Sequence, residues 1–314
     1  MWTYVASRLL LLIPVVLLVT LLSFSLSFLI PGDPAAYILG ETADQAAIDE
    51  LHKELGFDQP LIVQYARWLV NVLRGDLGRR LRSNEPVFTA IAQRLGPTVE
   101  LALLSLVIGV AIALPLGVLA ATRAATWIDR LVTMLAMAGL AMPGFWLAIL
   151  LIMLFSVQFR VLPPSGYSPI GDGVWGNLRL MILPAFTLGV SFAATVMRQA
   201  RASMVEVLRE HYVRTARAKG LRELRVLFGH ALRNAMIPVA TVIGLRIGQL
   251  LGGAVVIETV FAIPGIGRLA VDGLLQRDFP VTQAVVLVMG VFVVLINLTV
   301  DLAYGLLDPR IRYR

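Results

Sequence analysis

Two polar side chains in an otherwise apolar window carry the sharpest chemical statement in this sequence. Arg246 and Gln249 interrupt the run 235–257 three residues apart, so on a helix they share a face. A guanidinium in mid-span costs about 2.5–3.5 kcal/mol against hydrocarbon, so Arg246 must face protein or water. In a water-filled passage it would attract a substrate carboxylate; against protein it would form a structural ion pair with an acid. The spacing fits both readings. Asn297 and Asp301, four apart in the last apolar window, also share a face. Asn297 is a candidate pathway residue. Asp301, near the window's end, suits helix packing or loop anchoring better than ligand binding.

The constellations of several enzyme classes are missing. The only lysines, Lys53 and Lys219, follow His52 and Ala218, so neither completes a Walker A loop, in which lysine follows glycine to reach the phosphates. His52, His211 and His230 form no His-Glu-x-x-His zinc helix, and there is no Gly-x-Ser-x-Gly elbow. Zero cysteines rule out disulfides, thiolate metal sites and cysteine nucleophiles. Neither metal nor cofactor is expected on this chain, and catalysis is not expected of it.

The elements that position these groups are membrane spans. With 58% hydrophobic residues, 15% charged residues and a mean hydropathy of +0.81, the 314-residue chain falls with polytopic membrane proteins. About 20 apolar residues cross the hydrocarbon core. Charge-poor windows of that order run Leu9–Gly32, Leu101–Thr122, Leu131–Phe159, Leu180–Met197, Ala235–Ile257 and Phe279–Val300, giving six spans. The first is too long for a signal h-region and ends at Pro31, Gly32 and Pro34, so it is expected to be retained. Pro143 with Gly144, and Pro115, are expected to kink their spans.

With the N-terminus inside, the short inner segments and the tail hold fifteen basic residues and the short outer loops four, Arg160, Arg179, Arg268 and Arg277. Both termini are therefore expected to be cytoplasmic. The net charge of +7 is a topology signal, and nucleic acid is not an expected partner. The stretch from Pro31 to about Thr98 forms a small outer helical insertion. Thr42 is its expected N-cap, Ile48, Leu51 and Leu55 share a face, Gly56 is a stop, and further helices open at Pro60 and Pro86. A solvated lid and a docking surface for an external partner are both open for it.

Between spans four and five lies the basic segment from Arg198 to Asn234. Met204, Val205 and Leu208 keep helical spacing, Gly220 breaks the run, and Leu221, Leu224, Leu227 and Phe228 make one apolar side of a second short helix. By pattern alone this fits an interfacial basic helix or a socket for a soluble protein. Gly244, Gly248 and Gly252 recur at four-residue spacing on span five, which suits close helix packing.

Tyr212-Val-Arg-Thr-Ala-Arg-Ala-Lys-Gly220 followed by His230-Ala-Leu-Arg-Asn-Ala-Met-Ile-Pro238 resembles the coupling loop of binding-protein-dependent ABC importers, in the form used by dipeptide, oligopeptide, glutathione and nickel permeases. The resemblance continues through Pro31-Gly-Asp-Pro34, Glu258-Thr-Val-Phe261, Pro264-Gly265, Arg277-Asp-Phe-Pro280, Asn297 to Asp301 and Asp308-Pro-Arg-Ile-Arg-Tyr313, and it fits the first of the two permease subunits. The general importer loop begins Glu-Ala-Ala, where this chain has Arg214-Thr215-Ala216; a later proline of many importers is Arg233 here.

The resemblance implies an all-α, six-span type I importer permease in the bacterial inner membrane. Its segments would be a first span (1–32), an extracytoplasmic helical insertion (33–98), a core (99–304, with its coupling loop at 198–235) and a cytoplasmic tail (305–314). Implied partners are a homologous second permease subunit, two cytoplasmic ATPases carrying ATP and magnesium, an extracytoplasmic solute-binding protein and membrane lipid. The implied solute is a dipeptide, oligopeptide or peptide-like molecule, with glutathione or a nickel chelate as alternatives. Arg214, Thr215, Ala216, Lys219, Gly220, Leu224 and Pro238 would contact or shape the ATPase junction. In a different class stand a secondary transporter, which would carry mid-span acids, and a receptor or scaffold, which would not need six spans.

Overall fold

The computed structural model describes the backbone of residues 2–29, 39, 44–55 and 58–307. In chain order its helices are α1 (Trp2–Leu29), α2 (Gln45–Leu55), α3 (Leu61–Leu73), α4 (Val87–Thr122), α5 (Trp127–Ala141), α6 (Gly144–Leu151, continued by a π turn Ile152–Gln158), α7 (Val174–Val207), α8 (His211–Ala218), α9 (Leu232–Val260, entered through Glu223–Arg225 and a π turn Val226–Ala231), α10 (Ile266–Leu275) and α11 (Phe279–Leu307). Among the described residues the one strand-like contact is an isolated bridge between Arg79 and Pro86. Thr42, Gly56, Pro31-Gly-Asp-Pro34 and Asp308 to Tyr313 lie outside the described residues.

Parts of α1, α4, α7, α9 with its entry turn, and α11 are long and apolar enough to cross a bilayer, and the pair α5–α6 makes a sixth span when counted as one. That pair is bent by 106°. The sharp angle has a local cause. Met142 precedes Pro143 and is held in extended backbone (φ −75°, ψ 125°), because the proline ring excludes the helical region for its neighbour. Pro143 then opens α6, its carbonyl accepting the amides of Trp146 and Leu147. Pro115, by contrast, sits inside the unbroken helix α4.

Several helices run further than the apolar windows. α4 starts at Val87 instead of Leu101, α7 spans Val174–Val207 instead of Leu180–Met197, and the helical path into α9 starts at Glu223 instead of Ala235. An arginine ends a hydrophobic window but not a helix, since it is a good helix former. The separate second helix expected after Gly220 is therefore corrected: it is the entry of α9, joined through the π turn.

The chain divides into two compact units, residues 1–98 with 264–295 and residues 99–263 with 296–314. In the first unit, Val87, Ala90, Ile91, Ile266, Leu269, Val281, Ala284 and Val285 form the core. The ring of Phe24 on α1 meets Tyr65 and Trp68 of α3 at 5.5 and 5.7 Å, and Thr20 and Tyr65 share a 2.8 Å hydrogen bond. Buried Asp278 accepts the Leu81 amide and lies 3.6 Å from Arg80; burial pushes its carboxyl above the usual range.

The second unit is built around α7. Its buried face includes Ala185, Gly189, Ala193, Ala194, Met197 and Ala200. Small residues let α4 and α5 come close: a Cβ added at Gly117 would meet Ala200 Cβ at 2.8 Å and the Met197 carbonyl at 2.9 Å, and one at Gly139 would meet Val190 and Ala194 at 3.2 and 3.3 Å. α9 packs most extensively on α7.

Candidate functional site

The short helix α8 and its turn form a knob between two long helices. Val213 and Ala216 are buried against Val226, with Val207, Leu208 and Leu221 packed around them. α8 stops at Gly220, whose φ of +75° lies in the left-handed region that favours glycine. The Gly220 amide donates to the Arg217 carbonyl (2.9 Å) and the Leu221 amide to the Ala216 carbonyl (3.4 Å), which together make a Schellman closure. Across the turn Arg217 grips Glu223 with two hydrogen bonds of 2.6 and 3.2 Å. Asn234 at the start of α9 donates to the Tyr212 hydroxyl at 2.8 Å. The knob is thus tied to the foot of α9 at both ends.

Its outer surface carries Arg214, Thr215, Lys219 and Gly220, all exposed, next to Leu224 at 70% exposure and Phe228 at 59%. The Thr215 hydroxyl donates to the His211 carbonyl at 3.0 Å. Two expected members of this surface fall elsewhere. Ala216 points into the knob's own core, and Pro238 lies within α9, well past the knob.

Above the knob, α7 and α9 enclose a cleft of about 440 Å³ lined by Thr195, Arg198, Gln199 and Ala202 from α7 and Val242, Leu245 and Arg246 from α9. Each set repeats at helical spacing, so two stripes face one another. Arg246 donates to the side-chain carbonyl oxygen of Gln249. Of the expected pathway residues, Arg246 and Gln249 therefore come together, whereas Asn297, exposed on α11, is not in the cleft lining. Arg198 was missed because a charge at the end of an apolar window reads as loop; the helical register of 195, 198, 199 and 202 was the available signal.

The glycine row of α9 is corrected in part. Gly244 and Gly248 are buried, but within this chain a Cβ at Gly252 would meet nothing within 4 Å. The close approach falls on Gly253, where it would meet Leu188 at 2.8 Å.

One further group braces the site. Asp129, 5% exposed, accepts from Nε and one Nη of Arg201 and from the Ala125 amide, so the turn before α5 is latched to α7. Near the other end of the unit the Tyr167 hydroxyl donates to Glu100 at 2.9 Å; burial, then this carboxylate, pushes the phenol up to about 12.

Residues 113–313 match the family described as "Binding-protein-dependent transport system inner membrane component", and residues 1–102 match the N-terminal region of the same kind of component. The chain belongs to this family. It is 46% identical over 301 residues, 96% of each chain, to a putative peptide transport system permease protein of Brucella abortus (strain 2308). It is 44% identical over 313 residues, all of each chain, to a probable peptide ABC transporter permease protein of Sinorhizobium fredii. Against the dipeptide transport system permease protein of Escherichia coli (strain K12) identity is 41% over 338 residues, again covering both chains fully. A solved structure titled as an amino acid ABC transporter with histidines shares the fold at a TM-score of 0.53, with 16% identity over 69% of this chain and 94% of that one.

Membership in an inner membrane family gives the exposed apolar side chains of this permease a solvent. Leu10, Leu11, Leu18 and Leu22 on α1, or Met134, Leu135 and Met137 on α5, would be liabilities in water and are ordinary against lipid. An arginine is not: Arg198 and Arg246 need water or protein on the open side of their cleft.

Proposed function

We propose that this permease is one transmembrane half of an ATP-driven importer for dipeptides, oligopeptides or peptide-like solutes. It pairs with a homologous second half, receives solute from an extracytoplasmic binding protein, and takes its driving force from two cytoplasmic ATPases that carry ATP and magnesium. The chain itself catalyses nothing. Both termini and the knob of α8 face the cytoplasm, in line with the fifteen basic residues assigned to inner segments.

The observation that carries this reading is the knob's construction. Its core residues Val213, Ala216 and Val226 and its Arg217–Glu223 clasp make it a rigid piece, and it joins α7 to α9. A displacement of the knob by an ATPase dimer that closes on ATP would be carried along both helices into the cleft, favouring one of two pathway states. Exposed Leu224 and Phe228 offer apolar anchors to the ATPase, while Arg214, Thr215, Lys219 and Gly220 frame them. Inside the membrane Arg246, with Gln249 beside it, faces the passage, and Gly244 and Gly248 support it by packing. Peptide cargo is supported by the relatives named as peptide and dipeptide permeases, which align over nearly the full chain.

The test is reconstitution. The chain co-expressed with its second half and ATPases, supplied with binding protein in proteoliposomes, should concentrate a labelled dipeptide only while ATP is hydrolysed. Leu224→Asp should uncouple transport without unfolding the chain. Accumulation by this chain alone, driven by an ion gradient, would establish a secondary transporter instead.

A further inference from the structure

We infer that Arg198 and Arg246 form a two-cation clamp for the carboxylate of a solute in transit; this deepens the transport reading above and rests on it. Four observations meet at the cleft. Arg198 and Arg246 line it from opposite helices, Arg198 exposed and Arg246 half-buried. Among the described residues no acid lines it, and neither arginine has a carboxylate within ion-pair distance, whereas nearby Arg201 is held by Asp129. Gln199 and Thr195 lie beside Arg198 and add neutral hydrogen-bonding groups, and Arg246 is steadied by Gln249. The volume of about 440 Å³ falls within the range of small-molecule sites.

Two arginines lining one cleft that holds no acid make a poor resting place for a cation and a good one for an anion. Guanidinium forks match the two oxygens of a carboxylate, and such charge-assisted bonds are worth about twice neutral ones. The clamp's position adds a mechanism. Arg198 sits on the helix that leads into the knob and Arg246 on the helix that leaves it, so any shift of α7 against α9 changes the gap between the charges. Hydrogen bonds of this kind fail with small increases in distance. Carboxylate affinity is thereby tied to the state of the ATPases, tight in one conformation and weak in the other.

The experiment uses the full reconstituted complex with a free-acid dipeptide and its C-terminal amide, and each variant's initial uptake rate is divided by the wild-type rate for the same solute. That ratio removes the binding protein's own selectivity. Arg198→Gln and Arg246→Gln should each lower free-acid uptake about tenfold at subsaturating solute, the size expected for one charge-assisted hydrogen bond. Uptake of the amide should change less than about twofold, within the small effect of substitutions that touch no partner. Equal losses for both solutes would overturn the clamp in favour of a structural pair with an acid of another subunit. Unchanged uptake of both would overturn it as well. Where a glutamine variant does not assemble, the lysine variants decide: selectivity for the free acid should fall partway, since charge is kept and the fork lost, and wild-type selectivity or none would contradict the clamp. A wild-type complex that concentrates neither solute under ATP defeats the transport reading, and the clamp with it.

Discussion

Helices α1 and α7 are both apolar and both long enough to span a bilayer, yet they solve opposite problems. In the most apolar stretch of α1 only 17% of residues are buried within the chain; in that of α7 the share is 67%. α1 presents leucines outward, while α7 presents alanine and glycine inward. Lipid tails are as apolar as leucine, so hydrophobicity does not decide which helix is central. Small size does, because it admits backbones to close range. The centre of the second unit is thus marked by Gly117, Gly139, Gly189 and Ala200.

That contrast breaks most visibly under added bulk. Gly117→Val places a side chain against Ala200 and the backbone at Met197 and should cost at least about 1–3 kcal/mol, read as a loss of thermal stability in detergent. Leu18→Ala on the exposed face of α1 should shift the same melting curve by less than about 0.5 kcal/mol. Equal losses would mean that α1 is no less packed than α7.

A middle-sized effect is expected at the latch between α5 and α7. Asp129→Asn removes the carboxylate that holds Arg201 and should destabilise by about 1–3 kcal/mol, less than for a fully buried pair because Arg201 keeps 35% of its side chain exposed. In a double-mutant cycle with Arg201→Met the two losses should be clearly non-additive, since each variant removes the same contact.

The smallest effect belongs to the periphery of the same unit. Tyr167→Phe should cost about 1 kcal/mol, one hydrogen bond. The Tyr167 phenol is raised, so its contribution is full below the ordinary tyrosine range near 10 and is lost as pH rises through about 12. Ultraviolet titration of wild type against the variant should show the missing chromophore ionising above the ordinary tyrosine range.

The sequence made some of these features plain. Gly220 was legible because a single glycine between helical runs has few uses other than a left-handed stop, and Pro143-Gly144 was legible as an interruption, although not as a 106° turn. Arg246 with Gln249 was legible because charge in an apolar window is rare. Arg198 and Arg201 were not. Both read as loop charges, since hydropathy marks where lipid ends and says nothing of where a helix ends. The latch to Asp129 and the facing stripes of the cleft depend on how α7 meets α5 and α9, which no local pattern encodes. The short helix α10 escaped for a similar reason: it follows Pro264-Gly265, which signals a turn, and its packing on Val87 and Val281 comes from distant segments. Ala216 teaches the converse, as its small size serves the knob's own core.

The account stands on the knob moving the cleft. The chain has no cysteine, so Ala202→Cys and Leu245→Cys, on opposite walls of the cleft, give a labelling pair unique within this chain for a distance measurement in a complex whose other subunits are made cysteine-free. The separation should change when the ATPases are trapped with nucleotide, and Leu224→Asp should abolish that change. A separation that stays fixed through the ATP cycle while transport proceeds would contradict it.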